Sequence, residues 1–274
     1  MGNIEIGVNM EFVRHHDKPF AEGVKIAADI GYKYVEPMVH LGRELLSEAG
    51  YFHSYSMDDD PLYMKEICDR YGVKISGLSA HCPLARPEIS VNYLTRAIRF
   101  ASDVGAPIVN TDEGIVPDWM SEQQAFAVME YTLTMVCKTA ERYGIYIGIE
   151  DHQIYSRTPE GLLRIASLVD SPYLQINYDS GNAYVSGSDP DEMLEKVKHK
   201  VYHYHAKDIG GVQLEQRGKV TGVPVGVACG EGVINWERQI EILKTIDRDI
   251  VLSVECGTIE QAEKSFAYLS RLVG

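Results

Sequence analysis

Four short apolar runs in this 274-residue chain each end in a side chain that binds hard cations: IYIGIEDH at 145–152, LQINYDSGN at 174–182, VYHYHAKD at 201–208 and IVLSVECG at 250–257. The candidate ligands are Glu150, Asp179, His205 and Glu255. Each follows β-branched or aromatic residues, so a strand carries it toward the rim of a sheet and a loop begins beyond it. Three carboxylates and one imidazole suit Mn²⁺ or Mg²⁺ better than a structural zinc, for which thiolates are expected.

Strand parity supports convergence, because side chains two apart share a face. Glu150 shares one with Gly148 and Tyr146, Asp179 with Asn177, His205 with His203, and Glu255 with Ser253 and Val251. Ile145, Ile147 and Ile149 then face outer helices. Asn177, His203 and Ser253 fall one layer deeper, where ligands need partners that fix orientation and tautomer. Three adjoining carboxylates would raise one another's pKa, and a divalent cation keeps them ionised. The plainer alternative is an internal ion-pair layer with Lys207 or an arginine.

The elements that must position these residues alternate along the chain. IEIGVNM at 4–10 reads as a strand, 19–31 as a helix with Phe20, Val24, Ala27 and Ala28 on one face, and YVEPMV at 34–39 as the second strand. Residues 40–60 read as an irregular lid. Residues 61–72 form a helix, VKISGLSAH strand three, 91–105 a helix and PIVNTDEG strand four. From Glu122 to Gly144, Phe126, Met129, Leu133, Val136 and Ala140 recur at helical spacing. Thr158 and Pro159 start another helix, one more runs from about 189 to 200, and the glycine-rich 209–234 segment reads as a loop. A final helix, strand and helix close the chain. Eight strands and eight helices in strict alternation predict a single (β/α)₈ TIM barrel over 1–274, with loop insertions at about 40–60 and 209–234. An open doubly wound sheet would set the four strands in a row, and GxGxxG is absent after the first strand.

The formal charge of −14 and the absence of a basic stripe argue against nucleic-acid and anionic-membrane partners. Five scattered cysteines, at 68, 82, 137, 229 and 256, read as reduced thiols, and the N-terminus lacks a signal-peptide pattern. These features predict a cytoplasmic protein. Cys82, Cys256, Trp119 and Trp236 are expected to pack.

At the IGIED strand end, NYDSGN, HYHAKD, CGEG followed by INW at 229–236, and SVEC, the chain resembles the xylose isomerase-like superfamily of sugar phosphate isomerases and epimerases. That group includes ketose 3-epimerases, inosose dehydratase and, more distantly, endonuclease IV. The resemblance implies a barrel holding one Mn²⁺, or Mg²⁺ or Co²⁺ in its place, on the residues matching Glu150, Asp179, His205 and Glu255. It also implies that Glu150 and Glu255 flank the substrate as the catalytic pair, and that the chain forms dimers or tetramers. Ketose 3-epimerases carry histidine where this chain has Asn182, which weakens a direct copy of that site and the nuclease reading alike.

Around these residues lie candidates for substrate binding. His81 and His152 could hold hydroxyls or serve as an extra base, Lys207 could neutralise an oxyanion, and Asn182 stands beside them. Glu36 and the Asp112, Glu113 pair read either as substrate contacts or as solvated loop charge. His81 and His203 read equally well as core histidines, and Tyr51, Phe52 and His53 as pocket mouth or loop anchors. The chemistry expected is proton abstraction α to a carbonyl of a keto sugar or 3-keto glycoside, giving an enediolate, in a metal-dependent isomerase or epimerase. The glycoside option rests on the 40–60 segment and the 209–229 loop, which could accommodate an aglycone. Alternatives are β-elimination on an inosose or 3-keto glycoside by a dehydratase, and a noncatalytic metal-binding partner subunit.

Overall fold

The computed structural model describes residues 2–42, 52–223 and 226–274. Its main sheet is wholly parallel and is built from β1 (Ile4–Asn9), β2 (Tyr34–Glu36), β5 (Lys74–Ile75), β6 (Leu78–Ser79), β7 (Ile108–Thr111), β8 (Tyr146–Glu150), β9 (Leu174–Asp179), β10 (Val201–Ala206) and β11 (Ile250–Val254). A separate parallel pair joins β3 (Val39–His40) to β4 (Tyr55–Ser56). The strand order β5-β2-β1-β11-β10-β9-β8-β7-β6 ends on two consecutive pieces of one run, so the ring closes through the chain itself.

Nine hydrogen-bonded segments thus make eight staves of a nearly closed TIM barrel. The expected third strand is interrupted at Ser76 and Gly77, where the wall is tight. A Cβ on Gly77 would stand 2.9 Å from Ile108 Cγ2 and 3.2 Å from Asn110 Nδ2.

Parallel staves bury both faces. Along β8, Ile147 and Ile149 face the helical layer while Gly148 and Glu150 face the barrel axis, as the alternation predicts. The helix Glu122–Tyr143 buries all five of its expected apolar positions. It starts in a reciprocal cap, with the Ser121 hydroxyl accepting from Gln124 N and the Gln124 side chain accepting from Ser121 N. Such a cap stabilises a helix by about 1 kcal/mol.

Several expectations need correction. The helix placed at 91–105 begins at Pro87, because proline needs no N–H partner in the first turn. The 40–60 stretch is not irregular throughout, since its flanks pair as β3 and β4; residues 43–51, including Tyr51, lie outside the described residues. An unforeseen helix, Ser180–Val185, follows β9 directly. Trp236 packs, but Trp119 is 77% exposed and does not. The 209–234 connection carries one 3₁₀ turn, Gly211–Gln216, among its described residues. No described helix is long and apolar enough to cross a membrane.

Candidate metal centre

Glu150, Asp179 and His205 sit at the C-terminal ends of β8, β9 and β10, and Glu255 lies one residue past β11. Register sets them side by side, with Glu150 opposite Asn177, and His205 opposite both Asp179 and Ser253. One donor atom from each of the four lies within 4.8 Å of all the others. His205 Nδ1 is 3.1 Å from Glu150 Oε2 and 3.1 Å from Glu255 Oε2. Lys207 Nζ approaches Asp179 Oδ2 at 2.9 Å and Glu255 Oε1 at 2.7 Å.

Beneath this layer the polar residues form a second, wholly buried one. Asn177 Nδ2 donates to Glu150 Oε2 at 3.0 Å, and Asn182 Nδ2 to Glu150 Oε1 at 2.9 Å. Ser253 Oγ and Asn110 Nδ2 each donate to Glu36, at 2.7 Å. Glu36 in turn takes His205 Nε2 at 2.9 Å. Glu36, read as a substrate contact or as solvated loop charge, is instead fully buried behind His205, where it holds the imidazole. Gly148 is required at its position, because a Cβ there would meet Asn110 Oδ1 at 2.4 Å.

Asn182 and Lys207 are candidates for substrate contact. Both are buried and grip ligand carboxylates, and Lys207 Nζ also donates to Val223 O at 3.0 Å. His203 is a core histidine. Burial pushes it down to about 4, so it stays neutral while its Nδ1 pairs with Asn177 Oδ1 at 3.0 Å.

The electrostatics fit a cation. Burial alone would raise every carboxyl here, yet the His205 imidazole holds Glu36 and Glu150 below the usual range, and Lys207 does so for Glu255. Burial prevails at Asp179, which rises to about 6, and at Asp151, which is raised further by its neighbour Asp179. Four carboxylates, Glu36, Glu150, Asp179 and Glu255, face two cationic groups, His205 and Lys207. The balance favours a further positive charge, and the oxygen and imidazole donors suit a hard divalent ion. Loss of the Nδ1 proton from the His205 imidazolium would keep Nε2–H on Glu36 and free Nδ1 as a ligand, the tautomer a metal needs.

Over the centre lies a cavity of about 250 Å³, lined among others by Glu150, Glu255, His205, His81, His152 and Val223. His152 Nδ1 is 2.6 Å from Asp112 Oδ2, and His81 lies 3.6 Å from both Asp112 and Glu150. Burial would lower both imidazoles, but Asp112 and Glu150 raise them, His81 to about 9. Asp112 is therefore a buried partner of two histidines, not solvated loop charge. Gly222 packs on His152, since a Cβ there would stand 2.5 Å from its Cδ2. Phe52 is half exposed, and His53 is buried against Glu11 at 3.2 Å as a loop anchor. Cys82 and Cys256 are buried thiols, each pushed up to about 12 by burial.

Two structural residues escaped the sequence reading. Asn110, which bridges Glu36 and the deeper layer, is signalled only by being polar inside an apolar strand. Asp208 accepts from Gly230 N at 2.8 Å, Ile234 N at 3.0 Å and Trp236 Nε1 at 2.9 Å, which fastens the long loop beside the mouth. The CGEG and INW segments are the other side of that contact.

A family model of xylose isomerase-like TIM barrels matches residues 24–272. An uncharacterized protein of Methanocaldococcus jannaschii is 31% identical over 222 residues, 74% of this chain and 71% of that one. The 3-dehydroshikimate dehydratase of Bacillus anthracis is 25% identical over 126 residues, 42% of this chain and 44% of its own length. Among solved structures, a D-tagatose 3-epimerase-like protein superposes with a TM-score of 0.77 at 25% identity, covering 98% of this chain and 97% of that one.

Proposed function

The chain belongs to the xylose isomerase-like TIM-barrel family, and from that premise we propose that it is a divalent-metal-dependent isomerase or epimerase of a keto sugar or 3-keto glycoside. The observation that carries this reading is the meeting of Glu150 and Glu255 at His205 Nδ1, each at 3.1 Å, on the floor of the cavity. Two carboxylates that approach one point from different strands can remove a proton from one face of a substrate carbon and return it to the other.

The residues divide the work. Glu255, kept ionised by Lys207 at 2.7 Å, is ready to accept a proton. Glu150, clamped by Asn177 and Asn182, is fixed in direction and serves as its counterpart. His81 and His152, both at the cavity wall, donate to substrate hydroxyls and turn the reacting carbon toward the two glutamates. Held by Glu150, Asp179, His205 and Glu255, an ion such as Mn²⁺, with Mg²⁺ or Co²⁺ as substitutes, would polarise the substrate carbonyl and stabilise the neighbouring negative charge.

A second reading is favoured by one contact. The His152 imidazole, held by Asp112 at 2.6 Å and raised in pKa by it, is a proton donor suited to a leaving hydroxyl. Proton removal by Glu150 or Glu255 followed by that donation is β-elimination, and the Bacillus anthracis relative is a dehydratase.

The test is to incubate Mn²⁺-loaded protein in D₂O with ketoses, 3-keto glucosides and inososes, following α-carbon deuterium and product composition by NMR. Exchange that vanishes on chelation and in Glu255→Gln supports the proposal, and loss of water from the product selects elimination. No exchange with any substrate, despite a bound ion, overturns both enzymatic readings in favour of a noncatalytic partner subunit.

A further inference from the structure

The cavity over the metal centre does not end at its histidine wall. His81 and His152 also line an outer cavity of about 630 Å³, together with Pro83, Arg86, Ile115 and Pro117. Gly114, Ile115, Pro117 and Gln153 then line a third space, which runs on past Ile154 and Tyr155. The shared residues make one trough that leads from the two glutamates to the surface. Its character changes on the way: charged at the floor, imidazole at the step, and mainly apolar beyond, with Arg86, Gln153 and Asp118 among the polar side chains of the outer lining.

The apolar part is held rigid. Glu113 Oε1 accepts from Tyr155 N at 2.5 Å and from Ser156 N at 3.2 Å, which ties the loop after β8 to the loop after β7. Glu113 O accepts from Leu84 N at 3.0 Å, which brings in the loop after β6. Gly114 has φ +66, and a Cβ there would stand 2.4 Å from Pro83 Cα, so the two walls meet in direct contact. On this fixed frame Ile115 is 79% and Ile154 63% exposed. Rigid apolar side chains held in water beside an active-site cavity gain most from a ligand that covers them.

We propose that the trough is a subsite for a flat apolar group, such as an aryl aglycone, carried by the same sugar whose carbonyl reaches the centre. The inner cavity, at about 250 Å³, takes the sugar ring, and the outer one takes its substituent. The occupant follows from continuity: whatever lies against Pro83, Ile115 and Pro117 borders the histidines that contact the ring. This inference rests on the keto-sugar reading above, and it places the aglycone over the loops after β6, β7 and β8. That is a different wall from the 40–60 and 209–229 segments the sequence suggested.

The experiment compares methyl and phenyl 3-keto-glucosides on the Mn²⁺-loaded full chain, with dissociation constants from calorimetry and α-carbon exchange from NMR. Covering one aromatic ring should tighten binding of the phenyl compound by about tenfold. In Ile115→Asp/Ile154→Asp, whose side chains are exposed and whose fold is checked by circular dichroism, that gain should shrink to less than about threefold. The methyl compound should bind as before. Equal affinities in the unaltered protein, no binding of either, or a gain that survives the double substitution overturns the subsite. A phenyl-dependent gain without exchange overturns the carbonyl chemistry and leaves the subsite standing; exchange with equal affinities does the reverse.

Discussion

The two halves of the barrel carry different burdens. β8, β9, β10 and β11 are five or six residues long and deliver all four candidate ligands from neighbouring staves. β2, β5, β6 and β7, across the axis, are two to four residues long, and the loops after β6 and β7 join the loop after β8 to form the histidine step and the apolar trough. Long strands, in register at their C-terminal ends, fix a charged centre. Short ones release the chain early into loops that can shape a cavity. On the proposed reading the ligand half sets the reaction, and the loops beyond it set substrate fit.

That division predicts unequal losses. Glu150→Gln, on the ligand half, should lower exchange by more than about 10³-fold and weaken Mn²⁺ binding, since it removes a donor and a proton carrier together. His81→Ala, on the wall half, should cost about 10- to 100-fold, mainly in KM, and leave metal content unchanged by elemental analysis. If His81→Ala also strips the metal, the halves are not separate and the comparison fails.

A smaller effect tests the contact by which β2 reaches the ligand His205. Glu36, at the end of β2, is the only carboxylate among the described residues that touches His205 Nε2. Glu36→Gln keeps the size but removes the charge that orients the imidazole. Mn²⁺ affinity by titration calorimetry should fall about 10- to 100-fold, and chemical denaturation should show a loss of about 3 kcal/mol, because the buried imidazole loses one of its three carboxylate partners. An unchanged affinity would mean that packing alone holds His205.

What was legible in the sequence follows the same line. The ligand half was readable because each strand announces itself by β-branched residues and ends in one charged side chain, and parity then sorts Asn177, His203 and Ser253 into the layer below. Asn182, Lys207 and Glu36 were found as polar residues near strand ends, but spacing could not tell a substrate contact from a residue that grips a ligand. That difference depends on side-chain direction across the barrel. Contacts between loops distant in sequence left no periodic trace: Asp208 with Gly230 and Trp236, or Glu113 with Tyr155 and Ser156. Trp119 went astray because aromatic character predicts burial only when a neighbouring element covers it, and none of the described ones does.

The smallest effect, and the sharpest test of the wall half, concerns Glu113. Burial lifts its carboxyl from 4.5 to about 7, against the opposing pull of Ser156 and the Tyr155 N–H. Because the folded form holds the proton more tightly than the unfolded chain, this group stabilises the fold fully below pH 4.5, and the contribution is lost as pH rises through about 7. Glu113→Gln keeps an oxygen acceptor for the Tyr155 and Ser156 N–H groups but cannot ionise. Measured by urea denaturation at matched Mn²⁺, the stability difference between the two proteins should swing by on the order of 2 kcal/mol in favour of the glutamine variant from pH 5 to pH 7.5. Carboxylates elsewhere titrate in both proteins, so their slopes cancel. Parallel curves would mean that Glu113 is already ionised at pH 5, that the two N–H donors outweigh burial, and that the loops after β7 and β8 are braced by charge as the ligands are.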